Sequence, residues 1–207
     1  MCSAPMVSNR TQLQEGGHLR ASLTYHDSGV ARKSVPIAHE LSHVRHTPSP
    51  RMNRLATLVA EWERAKAGTQ DYLESMRADH LGFRPAQECR TLAEQFLHIA
   101  STQYAFAASA TDQANPLASG TDPTKDETLK GDLDAFRRFV IESYDFMING
   151  LRNLDPAILD EEVKFFRLQM PRSLLLAKAL EHHAHHRGQA AVYLRLSGIT
   201  PPSQRLF

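Results

Sequence analysis

From Met52 onward the apolar residues of this chain return every three to four positions, and that rhythm restricts the fold more than any other feature. Leu55, Leu58, Val59, Trp62, Ala65, Thr69, Tyr72, Leu73 and Met76 keep the i, i+3, i+4, i+7 spacing of one buried helix face. Gly68 interrupts this first helix at a cost of roughly 1 kcal/mol relative to Ala, without changing the element type. Phe83-Arg84-Pro85 breaks the rhythm. Thr91-Leu92-Ala93-Glu94 then has the form of a capping box and opens a second helix to about Ala110, with a stripe of Leu92, Phe96, Ile99 and Phe106. The segment 111–126, with Asn115-Pro116, Gly120 and Asp122-Pro123, is too long for a simple turn and suits a crossover along a bundle. A third helix is expected from about Glu127 to Leu154, closed by Asp155-Pro156. After an irregular stretch around Ile158 to Met170, Pro171 suits the first turn of a fourth helix, which Gly198 and Pro201-Pro202 stop. With no strand pattern and no internal repeat, the expectation is an all-α four-helix bundle with its long crossover between the second and third helices.

The first fifty residues have none of this rhythm. They carry one aromatic, Tyr25, with five histidines and scattered Gly and Ser, and they end at Pro48-Ser49-Pro50. Such a segment cannot easily bury enough apolar surface to fold alone, so residues 1–50 read as a disordered or loosely docked tail before a bundle over 51–207. Composition excludes several functional classes. With 24 Lys+Arg against 23 Asp+Glu in 207 residues, no global field favours nucleic acid or an anionic membrane. Cys2 and Cys89 have no second cysteine at metal-ligand spacing, which argues against a disulfide framework and suits a reducing compartment. Neither a run of 18 apolar residues nor the apolar stretch of a signal peptide is present, and the expected location is the cytoplasm.

Chemistry concentrates in the fourth helix, at Leu180-Glu181-His182-His183-Ala184-His185-His186-Arg187-Gly188-Gln189. At 100° per residue His182 and His186 stand about 40° apart, close enough to share one metal ion, and Leu175, Gln189 and Tyr193 fall on the same stripe. His182 with His185, and His183 with His186, are alternative pairs that spacing alone does not exclude. Arg187 points about 60° or more away from the stripe, toward a salt bridge or an interface. In the second helix, geometry places His98 about 100° from the centre of its apolar stripe, at the margin of the buried face.

The run His182-x-x-His185-His186-Arg187-Gly188-Gln189, followed by Tyr193-Leu194-Arg195, Gly198 and Pro201-Pro202, resembles the closing helix of the DinB family of metal-binding helical bundles. Phe83-Arg84-Pro85 and Thr91-Leu92-Ala93-Glu94-x-x-x-His98-Ile99-Ala100 resemble that family's second-helix motif, and the likeness extends from about Met52 to Pro202. It implies a bundle, commonly a homodimer, with a divalent metal held by three histidines, which here fall on His98, His182 and His186. It also implies variety of metal and activity, including transfer or isomerisation of substrates through low-molecular-weight thiols. The family pattern needs no fifty-residue tail, so residues 1–50 read as an extension or as a start assigned upstream of Met52.

Three imidazoles are fewer than the four protein ligands that close a structural zinc site, so a position is left for water or substrate, whose pKa the ion lowers. Zn, Ni, Mn and Fe are all compatible with imidazole. Gln189 and Tyr193 are candidates to orient a water or substrate, with ordinary interhelical hydrogen bonding as the alternative. Glu94 is a candidate to hold the second ring nitrogen of His98, or else completes the capping box. The expected function is a metal-dependent enzyme of thiol S-transferase or hydrolase type acting on a small molecule. Its alternative is a non-enzymatic stress-response module whose metal is structural. A third reading comes from His39-Glu40-Leu41-Ser42-His43, which matches the H-E-x-x-H zinc motif of metallopeptidases. That stretch is short, bracketed by Pro36 and Pro48, and lacks a third ligand, which favours a chance match or a fragment.

Overall fold

The computed structural model describes residues 54–206. The expected tail at residues 1–50, with its His39-Glu40-x-x-His43 motif, lies outside the described residues. The elements run α1 (Arg54–Ser75), α2 (Leu92–Thr111), α3 (Glu127–Gly131), α4 (Leu133–Arg152), β1 (Glu162–Phe165), β2 (Leu168–Pro171) and α5 (Arg172–Leu196), with short 3-10 turns between some of them. Four long helices, α1, α2, α4 and α5, form the expected bundle. No helix among the described residues is long and apolar enough to cross a membrane.

The cross-helix partners fix the topology. Phe96 meets Phe136, Tyr104 meets Phe139 and Phe146, and Gln113 reaches the Phe146 carbonyl, so α2 and α4 run parallel. Parallel neighbours need a chain return, which is the work of the crossover holding α3. Thr69 with Tyr144 and Glu63 with Arg152 make α1 antiparallel to α4. Gln95 with Tyr193 and Ala110 with Arg172 make α5 antiparallel to α2. Around the bundle the order is therefore α1, α4, α2, α5, with α2 packed on both α4 and α5. Trp62, Phe96, Phe136, Tyr144, Met147, Leu151 and Leu175 fill the centre.

Two expectations need correction. The third helix is not continuous: Gly131 ends α3, and Asp132, in extended backbone, accepts hydrogen bonds from the Asp134 and Ala135 amides to cap α4 anew. The stretch expected to be irregular contains an antiparallel hairpin that pairs Val163 with Met170 and Phe165 with Leu168. Its strands are four residues each and its turn residues are Phe166-Arg167, with Phe166 at φ 51° where a glycine or asparagine is usual. Neither length nor turn composition signals a hairpin. Phe165 stacks on Phe106 of α2 with ring centroids 4.4 Å apart, which fastens the hairpin to the bundle.

Candidate metal centre

The start of α2 is held firmly. Thr91 accepts from the Glu94 amide while Glu94 Oε2 accepts from the Thr91 amide at 2.8 Å, the reciprocal capping box. The next two orphan amides, those of Leu92 and Ala93, donate to the carbonyls of Phe83 and Leu81, so the loop bearing Phe83-Arg84-Pro85 is bound to the helix end. The far end of α5 is fixed by a Schellman motif, in which Ile199 N–H reaches the Leu194 carbonyl and Gly198, at φ 78°, donates to Arg195. Two helices braced in this way bring His98 opposite His182 and His186.

One ring nitrogen from each of the three histidines lies within 4.8 Å of the others. His182 Nε2 is 3.2 Å from His98 Nε2, and ring centroids are 4.6 to 5.1 Å apart. Hydrogen bonds on the outer nitrogens define what the inner ones carry. Nδ1 of His186 faces the Gln95 Oε1 at 2.8 Å and the Gln189 Oε1 at 3.1 Å. Those amides are oriented in turn, since Gln95 Nε2 donates to the Tyr193 hydroxyl and Gln189 Nε2 faces His185. The proton of His186 therefore sits on Nδ1, leaving a lone pair on Nε2. Thr102 donates its hydroxyl proton to the His98 carbonyl at 2.7 Å, so its oxygen accepts from His182 Nδ1 at 3.4 Å, and Nε2 of His182 is again a lone pair.

With its Nε2 lone pair turned inward, His182 stands 3.2 Å from His98 Nε2, a spacing met either by a proton on His98 Nε2 or by an electrophile between the two rings. A tetrahedral ion with bonds of about 2.0 to 2.1 Å would place neighbouring nitrogens about 3.3 Å apart. The donor set thus fits a divalent metal. Burial pushes the His98 imidazole down to about 4, with the charge of Arg90 and the proximity of His182 adding to it and Asp122 opposing. Burial and the neighbouring histidines, His182 first, likewise lower His186 to about 4. His182 is lowered by burial, then by His185 and Arg90. All three are neutral near pH 7, the state that ligation requires.

The remaining candidate residues divide. Glu94 is at the capping box, with Arg84 and Lys130 each 3.8 Å from its carboxylate, and is not hydrogen-bonded to His98 among the described residues. Gln189 and Tyr193 both belong to the support of His186, the first directly and the second through Gln95. His185 is exposed, its ring near that of His186 but its Nε2 on Gln189. His183 points into the core, against Tyr144 and Trp62. Among the described residues Arg187 makes no salt bridge; it lies on α1, donating to the Ala65 carbonyl beside Gly68. Sequence reasoning passed over Gln95 and Thr102, although Gln95 is a polar residue inside the apolar stripe of α2 and is buried. Nothing in the spacing singles out Arg90, and Cys89 stands out only for lacking a second cysteine at ligand spacing; both border a cavity of about 560 Å³ beside His186.

The chain can now be set beside known proteins. The DinB family pattern matches residues 52–206. An uncharacterised Bacillus subtilis protein, YjoA, is 27% identical over 136 residues, covering 64% of this chain and 83% of YjoA. A second, YrdA from the same organism, is 43% identical over 44 residues, 21% of this chain and 26% of YrdA. In crystal structures, a DinB-like protein from Bacillus cereus superposes with a TM-score of 0.61 at 21% identity, over 72% of this chain and 95% of that one. YjoA itself superposes at 0.58 with 22% identity, over 72% and 98%. These superpositions show a shared fold, and the family match covers the whole bundle with both histidine-bearing helices: the chain belongs to the DinB family.

Proposed function

We propose that the protein binds one divalent metal ion through His98, His182 and His186 and uses it as an enzyme of thiol S-transferase or hydrolase type. The observation that carries this reading is the convergence of the three imidazoles with the outer nitrogens of His182 and His186 already hydrogen-bonded, so that lone pairs point inward. When bound there, the ion would supply Lewis acidity and activation of a water or thiol at a position that the protein leaves open. The chain's own part is positioning. Gln95 and Gln189 hold the His186 ring, Thr102 steadies the His182 ring, and the adjoining cavity of about 560 Å³ offers room for a small molecule. A low-molecular-weight thiol is the substrate class that we favour, in a homodimeric cytoplasmic protein.

The non-enzymatic alternative keeps the same ligands but gives the ion a structural role. Elemental analysis of the purified protein and of His98→Ala, His182→Ala and His186→Ala separates the readings. Near one equivalent of metal, lost in each variant, supports the site. Loss of activity with the helical signal and melting retained would favour the enzyme, whereas collapse of the fold would favour the structural role. Unchanged metal content in all three variants would reject both and return attention to His39 and His43.

A further inference from the structure

The loop that leads into α2 ends in Glu88, Cys89 and Arg90, and these three residues form the rim of the cavity beside His186. The other cations at this end of the helix are already occupied. Arg84 and Lys130 both lie 3.8 Å from the Glu94 carboxylate, and Lys130 is 2.7 Å from Glu127. Arg90 is exposed, and among the described residues no carboxylate lies within ion-pair distance of it. It borders the cavity together with Gln95, His186 and Tyr193. Three neutral imidazoles cancel none of a divalent ion's charge, so both ends of the cavity favour an anion.

We propose that Arg90 determines specificity at this site by binding the carboxylate of a small monoanionic substrate lying in the cavity over His186. The assignment rests on the metal-enzyme reading for its catalytic meaning, but the anion contact stands on the cavity itself. A planar guanidinium pairs with a carboxylate through two parallel hydrogen bonds, which a lysine cannot do. One cation suits one negative charge. Glu88 beside Arg90 disfavours a second negative charge at the rim, so a carboxylate fits there better than a phosphate dianion.

Cys89 supplies a readout that needs no metal, because it borders the same cavity. Iodoacetate and iodoacetamide are nearly isosteric and differ in charge, and each alkylates a thiolate sulfur with loss of iodide. In the full-length protein, with and without a chelator, the iodoacetate to iodoacetamide rate ratio at Cys89 is measured by peptide mass spectrometry. It is compared with that of a cysteine in a short neutral peptide. The expected ratio is about tenfold higher at Cys89, as a charge-assisted contact implies. It should fall to the peptide value in Arg90→Gln and be kept in part in Arg90→Lys. Acetate should protect Cys89 in the wild type. A wild-type ratio equal to that of the peptide, or one unchanged in Arg90→Gln, overturns the proposal, and better protection by inorganic phosphate overturns the carboxylate assignment. If Cys89 resists both reagents, apparent affinities of 3-mercaptopropionate and 2-mercaptoethanol for the cobalt-loaded protein decide. They must differ about tenfold in the wild type and converge in Arg90→Gln; equal affinities or no binding overturn the inference. Loss of metal binding with the Cys89 ratio intact would instead reject the metal reading alone.

Discussion

Gln95 shows how a residue without metal-ligand chemistry can govern a candidate metal centre. It accepts from His186 Nδ1 and donates to Tyr193, so one amide sets both the tautomer and the angle of the His186 ring, a proposed ligand. Gln95→Leu removes the nearer of two acceptors and leaves Gln189 to hold the ring from a longer distance. Metal affinity in a competition titration should fall about 10- to 100-fold, the usual cost of losing a group that orients a ligand histidine, while the helical signal persists. An affinity within twofold of wild type would make Gln95 a packing residue only. The same burial that keeps the rings neutral makes the metal-free protein sensitive to acid. His98 and His186 are lowered to about 4 from an unfolded value near 6.5, so between those pH values the unfolded chain binds more protons than the folded one. Stability from these groups is fully present above about pH 6.5 and is lost as pH falls toward 4. The melting temperature of the chelated protein should therefore drop from pH 7 to pH 5, and drop less in the His98→Asn, His186→Asn double variant.

Helix spacing made the bundle legible from sequence, because an apolar residue every three to four positions has few other ways to bury itself. The same count put His98 at the edge of its stripe, where it is half-buried, and put His182 and His186 on one face. Spacing could not choose among the histidine pairs. That choice is made by Tyr144 and Trp62, which draw His183 into the core and so fix the rotation of α5. Nor could it find the hairpin, whose turn lacks the expected glycine. Two of the interior glycines of the long helices also had different reasons that only packing reveals. A methyl group on Gly150 would lie 2.0 Å from the Gln113 amide and 2.6 Å from the Thr111 hydroxyl, so the crossover needs that gap. On Gly68 it would meet the end of the flexible Arg187 side chain at 3.4 Å, an ordinary contact. Chemical denaturation should show Gly150→Ala destabilised by about 1 to 3 kcal/mol, as overpacking costs. Gly68→Ala should be stabilised by about 0.5 to 1 kcal/mol from helix propensity. The opposite order of the two would mean that α1 and the crossover are packed differently.

At the scale of the molecule, the three histidines connect helices that the chain keeps far apart. His98 belongs to α2 and the other two to α5, with the crossover, α4 and the hairpin lying between them in sequence. These are antiparallel neighbours, joined near one end by Arg172 to the Ala110 carbonyl at 2.9 Å and near the other by Gln95 to Tyr193 at 3.1 Å. An ion held at mid-length would add a third tie that exists only in the folded state, because the unfolded chain brings these residues together at a large entropic cost. Such a ligand stabilises in proportion to RT ln(1 + [L]/Kd), about 2.7 kcal/mol at a hundredfold excess over Kd. For a bundle of this size, that corresponds to a rise in melting temperature of roughly 5 to 10 °C. Titrating zinc, nickel or manganese into the chelated protein should therefore raise the melting temperature with the logarithm of free metal, without saturating at one equivalent. His98→Ala should abolish the rise just as His186→Ala does, although the two residues stand on different helices. A rise that survives His98→Ala but not His186→Ala would place the ion on α5 alone, making it a surface pair of histidines rather than a centre shared by two helices.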